Sequence, residues 1–184
     1  MTQEKRVALV TGASRGIGRA IAHELGRQGR IVIGTATSES GAEKIDADLK
    51  ANGVEGAGMC LNVTDQASID EVLKTIGERF GAPTILVNNA GITRDNLLMR
   101  MKEEEWDSVM DTNLKSVYRV SKACLRGMTK ARFGRIVSIS SVVATMGNLG
   151  QTNYAAAKAG MEGFSRALAR EVSSRAITVN TVAP

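Results

Sequence analysis

Along the chain, short runs of apolar and β-branched residues alternate with longer segments whose apolar positions recur every three or four residues. The short runs, at 7–11, 31–34, 57–61, 85–88, 135–139 and 178–182, predict β-strands. The longer segments, near 17–28, 42–51, 68–80, 103–128 and 153–173, predict amphipathic helices. Most of the strand runs are almost continuously apolar, which marks strands buried on both faces, and the intervening helices supply parallel crossovers. The alternation therefore predicts one doubly wound α/β domain over 1–184, with ligands at the carboxyl ends of the strands. No repeat, low-complexity tract or linker interrupts it.

Composition changes this picture little. A chain of 184 residues suffices for one domain with a sizeable core. Residues 1–6 are polar and no apolar run reaches bilayer length, so a cytoplasmic protein without membrane contact is the expectation. The net charge of +5 suits an anionic ligand or an acidic partner. Scattered basic residues and scarce aromatics argue against a nucleic-acid surface. Cys60 and Cys124 stand in unrelated contexts, and His23 is the single histidine, so neither a Cys/His metal site nor a His-based triad is expected. His23 is expected to be a bland, partly exposed helix residue.

The first predicted strand runs into Thr11-Gly12-Ala13-Ser14-Arg15-Gly16-Ile17-Gly18. Glycines there permit a tight turn and a close backbone approach to a pyrophosphate, and the following helix aims its free N–H groups at the phosphates. The spacing is G-x-x-x-G-x-G rather than the commoner dinucleotide fingerprint. After the second strand the chain reads Gly34-Thr35-Ala36-Thr37-Ser38, with no carboxylate before Glu39 to meet a ribose hydroxyl. Arg15 is placed to pair with a 2′-phosphate, with Thr37 and Ser38 as further donors, so NADPH is favoured over NADH. The plainer alternative for Arg15 is a solvated loop residue.

Tyr154 and Lys158, four residues apart with three alanines between them, share one face of a helix. An ammonium near a phenol favours the phenolate, which suits acid/base work. Ser140-Ser141 follows the fifth strand, where a hydroxyl can donate to a ketone oxygen that gains charge. Asn113 interrupts a helical pattern, and its amide is expected to hold a water or a backbone group near Lys158. Asn88-Asn89-Ala90-Gly91 ends the fourth strand in a turn where backbone meets ligand.

Together these segments resemble the short-chain dehydrogenase/reductase family: T-G-x-x-x-G-x-G at 11–18, N-N-A-G at 88–91, Asn113, Ser141, Tyr154 and Lys158. The resemblance implies a Rossmann-type sheet and catalytic roles for four residues. Tyr154 would be the proton donor and Lys158 the ribose-binding group that lowers its pKa. Ser141 would orient the carbonyl, and Asn113 would support a proton relay. It also implies substrate contacts at Ser141 and Tyr154. Cofactor contacts are implied at Gly12, Ala13, Ser14, Arg15, Gly16, Ile17, Gly18, Thr37, Asn62, Val63, Asn89, Ala90 and Gly91, with Tyr154 and Lys158. Asn62 stands where many members carry Asp.

Segments 91–101 and 146–154 are similar to the branch that reduces 3-oxoacyl groups on acyl carrier protein to the (R)-3-hydroxy form with NADPH, in bacterial fatty acid synthesis. For that branch Arg132 and Arg175 match carrier-docking positions, although solvated arginines at helix ends would look the same. Met99, Met101, Met146 and Leu149 fit either a soft rim for an acyl chain or core and oligomer contacts, and the second reading is favoured. A related ketoreductase acting on acetoacetyl-CoA, and a non-catalytic NADP-binding or scaffolding fragment, are the alternatives. The family also places a Gly-containing turn, a substrate lid and a seventh strand beyond Pro184. The expectation is therefore a C-terminally incomplete domain, weak or inactive by itself. The family is usually a homotetramer, and a dimer is expected for such a fragment.

Overall fold

A computed structural model describes residues 5–184; residues 1–4, the start of the polar lead-in, lie outside the described part. Six parallel strands, β1 (Val7–Val10), β2 (Ile31–Ala36), β3 (Gly56–Cys60), β4 (Ile85–Asn88), β5 (Gly134–Ile139) and β6 (Ile177–Val182), form one sheet. Their order is β3-β2-β1-β4-β5-β6, so the chain reverses its direction of winding between β1 and β4. This is the Rossmann-type doubly wound arrangement, whose crevice opens at that switch point.

Register explains why the strands hold. Ala57, Ile33, Leu9, Leu86, Ile136 and Val179 form one in-register row across all six strands. All six are buried in one core cluster with side chains of α3 (Gln66–Arg79), α5 (Ser116–Ala131) and α7 (Thr152–Val172). Each large apolar side chain in that row contributes roughly 1.5–3 kcal/mol relative to exposure. On the opposite face, Val10, Val32, Val87 and Ile139 pack with Ala22 of α1 (Gly16–Arg27) and Ile45 and Leu49 of α2 (Glu39–Ala51). Beyond these helices an apolar hollow of about 840 Å³ lies over Ile85, Val87, Val137 and Val182.

The helix expected over 103–128 is divided. α4 (Glu103–Met110) passes through a wide π turn at Asp111–Lys115 before α5 begins. Asn113, fully buried in that turn, exchanges two hydrogen bonds with the backbone of Ile92, which draws the helix out of its regular spacing. A short α6 (Val143–Met146), absent from the periodicity reading, follows β5. His23 is partly exposed and pairs with Asp48 at 2.6 Å, while Arg19 grips the same carboxylate, so these side chains tie α1 to α2. No described helix is long and apolar enough to cross a membrane.

Backbones approach closely where α2 crosses β3: a Cβ on Gly58 would stand 1.9 Å from the Ala42 carbonyl oxygen. Gly58→Ala is therefore expected to cost about 3 kcal/mol, read as a lower denaturant midpoint. Gly77, on the exposed side of α3 with nothing within 4 Å of where a methyl would stand, provides the control. Gly77→Ala is expected to raise stability by up to about 1 kcal/mol.

Candidate active site

The glycine turn is wired to the end of β4. Thr11 donates its backbone N–H to the Val87 carbonyl, and its Oγ1 accepts the N–H groups of Asn89 and Ala90, each at 3.0 Å. Asn89 returns the contact, its Nδ2 donating to the carbonyls of Thr11 and Gly12 at 2.9 Å. Gly12 and Gly16 take positive φ values of 67° and 56°, a conformation that favours glycine. Gly18 lies so close to the turn that a Cβ would come within 2.3 Å of the Gly12 oxygen. Arg15 precedes α1 without capping it through its side chain, so the first N–H groups of the helix are left for another acceptor.

These groups line a cavity of about 570 Å³ that includes Gly12, Ser14, Arg15, Gly16, Ile17 and Gly18. Thr37, Val63, Asn89, Ala90 and Gly91 line it as well, and no carboxylate does. Among the described residues Arg15 makes no ion pair. Glu39, the nearest carboxylate along β2's exit, faces Cys60, whose thiol pKa is raised by burial first and by that carboxylate second. An anionic nucleotide fits such a wall, with uncapped N–H groups, a glycine cradle, a free guanidinium and no acidic side chain.

Two residues of the expected cofactor set stand apart from the cavity. Ala13 is buried in the core beside Val32 and Ile45, and its N–H donates to the Thr35 carbonyl at 2.9 Å. Asn62 turns its Oδ1 onto Thr64, closing its own loop. Ser38 serves as the N-cap of α2, accepting the Gly41 N–H at 3.2 Å.

A second cavity of about 590 Å³ adjoins the first, sharing Arg15, Ile17, Asn89, Gly91 and Ile92. Ser141, Tyr154 and Lys158 line it. The Lys158 Nζ lies 5.5 Å from the centroid of the Tyr154 ring and donates to the Ile139 carbonyl at 2.5 Å. Lys158 is buried, and loss of hydration pushes its pKa down to about 8. Ser141 Oγ accepts the Val143 N–H at 3.3 Å, which holds the hydroxyl at the start of α6. The backbone group that Asn113 holds is that of Ile92, with both ends of its amide engaged there at 2.8 Å.

Other expected contacts are distributed differently. Met99, Met146 and Leu149 are 100%, 81% and 85% exposed, so the core assignment for them does not hold. Their loops are stitched together instead by polar contacts, Asn96 N–H to the Gly150 carbonyl and Gln151 to Asp95. Arg132 and Arg175 each stand two residues ahead of the paired Gly134 and Ile177, at the amino edge of the sheet. Six residues of strand, about 20 Å, separate that edge from Ser141.

One buried residue escapes a reading of the sequence. Asn153 is fully buried; its Oδ1 accepts the Tyr154 N–H at 2.7 Å, and its Nδ2 donates to the carbonyls of Arg94 and Glu105. It thereby anchors the first turn of α7 to the segment after β4. Nothing local in the sequence marks it, because its partners lie 59 and 48 residues away.

Residues 6–184 match the family model described as short chain dehydrogenase. The chain is 70% identical over all its 184 residues, and 74% of the relative's length, to the 3-oxoacyl-[acyl-carrier-protein] reductase FabG of Pseudomonas aeruginosa. Reductases of the same name from Vibrio cholerae and Escherichia coli are each 65% identical over the same spans. With the parallel sheet, the glycine turn and a Tyr/Lys/Ser cavity already in place, these matches make the chain an enzyme of the short chain dehydrogenase family.

Proposed function

We propose that the chain, as a single NADP-binding domain, reduces 3-oxoacyl groups on acyl carrier protein to (R)-3-hydroxyacyl groups with NADPH, in fatty acid biosynthesis. The observation that carries this reading is the continuity of the two cavities, one walled by the glycine turn and Arg15, the other by Ser141, Tyr154 and Lys158. NADPH, when bound, supplies a hydride to the keto carbon. The protein's own part is to hold that carbon beside the donor and to manage charge on the oxygen. Ser141 donates a hydrogen bond to the carbonyl oxygen, and Tyr154 delivers the proton that completes the alcohol. Lys158, with its pKa at about 8, keeps its positive charge at neutral pH, next to the phenol and within the same cavity. There it serves the ribose and favours the phenolate form of Tyr154. Asn113 takes part through Ile92, whose backbone it fixes at the junction of the cavities.

NADPH preference rests on Arg15 and on the lack of a carboxylate in the adjoining wall. Acyl carrier protein is assigned to the exposed Arg132 and Arg175, where basic side chains meet an acidic surface. Since both stand at the amino edge, a tethered acyl group reaches a catalytic edge by the length of its arm or on a neighbouring copy of a homo-oligomer.

Three outcomes are expected for the full chain. Tyr154→Phe lowers kcat by a factor on the order of 10²–10⁴ in NADPH oxidation with a 3-oxoacyl thioester, while NADPH affinity stays near parental. Parental turnover in that variant refutes the assignment, and comparing carrier-linked with CoA-linked thioester identifies the physiological carrier. Arg15→Ala weakens NADPH by about 10–100-fold in fluorescence titration and leaves NADH unchanged; an equal loss for both cofactors rules out recognition of the 2′-phosphate. The third concerns Lys158, whose folded pKa lies below its ordinary value of 10.5, at about 8. Between those values the unfolded chain binds more protons, so this group makes stability rise with pH from about 8 toward 10.5. The difference in unfolding free energy between parent and Lys158→Met, followed over that window, should therefore slope upward for the parent. A flat difference would show that the amine is not desolvated.

A further inference from the structure

Tyr154 and Lys158 belong to a longer row. Glu162 lies a further four residues along α7 and so continues the same face. Its Oε1 accepts a hydrogen bond from the Ser140 hydroxyl at 2.7 Å, and its other oxygen is approached by Arg166 at 4.0 Å. Ser140 is buried and immediately precedes Ser141. The peptide unit joining Ile139 to Ser140 is held on both sides as well. Lys158 takes its carbonyl at 2.5 Å, and the Val182 carbonyl takes its N–H at 2.7 Å. The backbone that leads into Ser141 is thus fixed by β6 on one side and by two successive turns of α7 on the other.

We infer that Glu162 is a positioning residue, which holds Ser140, and through it Ser141, at the angle the reacting carbonyl requires. The inference rests on the reading of Ser141 as the group that orients the substrate. Lys158 can pin only the peptide carbonyl, which leaves the following Cα free to swing about that plane. The Ser140–Glu162 bond adds a second point of attachment beyond the swing, at the Ser140 side chain. A carboxylate suits the position because a charge-assisted hydroxyl bond is stronger than a neutral one, and 22% exposure with Arg166 alongside keeps the charge tolerable. A small misplacement of an orienting group costs rate rather than affinity, so the effect belongs in kcat.

The test compares Glu162→Ala, Glu162→Gln, Ser140→Ala, Ser141→Ala and the Ser140→Ala/Glu162→Ala pair in the full chain. Turnover with a 3-oxoacyl thioester, NADPH affinity and amide hydrogen exchange at Ser140 and Ser141 are measured for each. Glu162→Ala and Ser140→Ala should each lower kcat about tenfold, with KM and NADPH affinity within about twofold of parent. The double variant should be no worse than either single one, since both remove the same bond. Glu162→Gln, whose amide oxygen accepts the same hydroxyl, should restore kcat to within about twofold. Exchange at Ser140 should quicken about tenfold in Glu162→Ala and return in Glu162→Gln. Parental kcat and parental exchange in Glu162→Ala overturn the inference, as does a Glu162→Gln variant that falls as far as Glu162→Ala. Loss of turnover in Ser141→Ala beside a fully active Glu162→Ala overturns the inference alone; a fully active Ser141→Ala overturns the role of Ser141 on which it stands.

Discussion

A positive charge withdrawn from water governs the arrangement of this molecule. The Lys158 ammonium is 4% exposed and has one hydrogen-bond acceptor in the chain, the carbonyl that ends β5, with an aromatic face nearby. Burying an ion costs several kcal/mol unless nearby dipoles replace its hydration. Here a backbone carbonyl and the polar cavity supply part of that replacement, and the remaining deficit appears as a lowered pKa. Helix α7 therefore cannot slide along β5 without stranding a charge, so fold and chemistry share one contact.

Asparagines carry much of the remaining wiring. Asn88 bridges Ser121 and Ser138, joining β4 to α5 and β5, while Asn89 binds the glycine turn. Asn113 fixes Ile92, and Asn153 fixes the base of α7. Each spans elements far apart in sequence and offers both donor and acceptor, which a buried backbone terminus needs. Their common location is the carboxyl end of the central strands, where the sheet's own ladder has ended and main-chain groups would otherwise be stranded. A rigid polar frame there keeps the two cavities in fixed relation.

Much of this is legible in the sequence, for identifiable reasons. All six strands fall within one or two residues of their predicted ranges because doubly buried strands are written as apolar runs. β2 alone outruns its expected end by two residues, since Thr35 and Ala36 read as a loop but pair with Met59 and Cys60. The four residues of α6 are too few to show a period, and the π turn is dictated by a contact with Ile92 that no local pattern encodes. At the site, Ser141, Tyr154 and Lys158 are recognisable because their spacing and position converge on one strand edge. Ala13 and Asn62 show the opposite: neighbours in a motif need not be neighbours of the ligand. Asn153 and Glu162 escape such a reading because their partners are set by tertiary packing. The exposed methionines mislead it because thioether side chains suit core and surface loop alike.

The π turn at Asp111–Lys115 also acts as a phase shifter. One added residue in a helical turn rotates everything downstream by about 100° relative to a regular α-helix. Without that rotation the stripe of Val117, Val120, Cys124 and Met128 would no longer meet the sheet, though α4 could remain where it is. A single-codon deletion in this stretch would therefore turn α5 by more than a quarter of a revolution. Such a lesion is topological rather than chemical, and chain length across 111–115 should be held more tightly than the identity of most of its side chains.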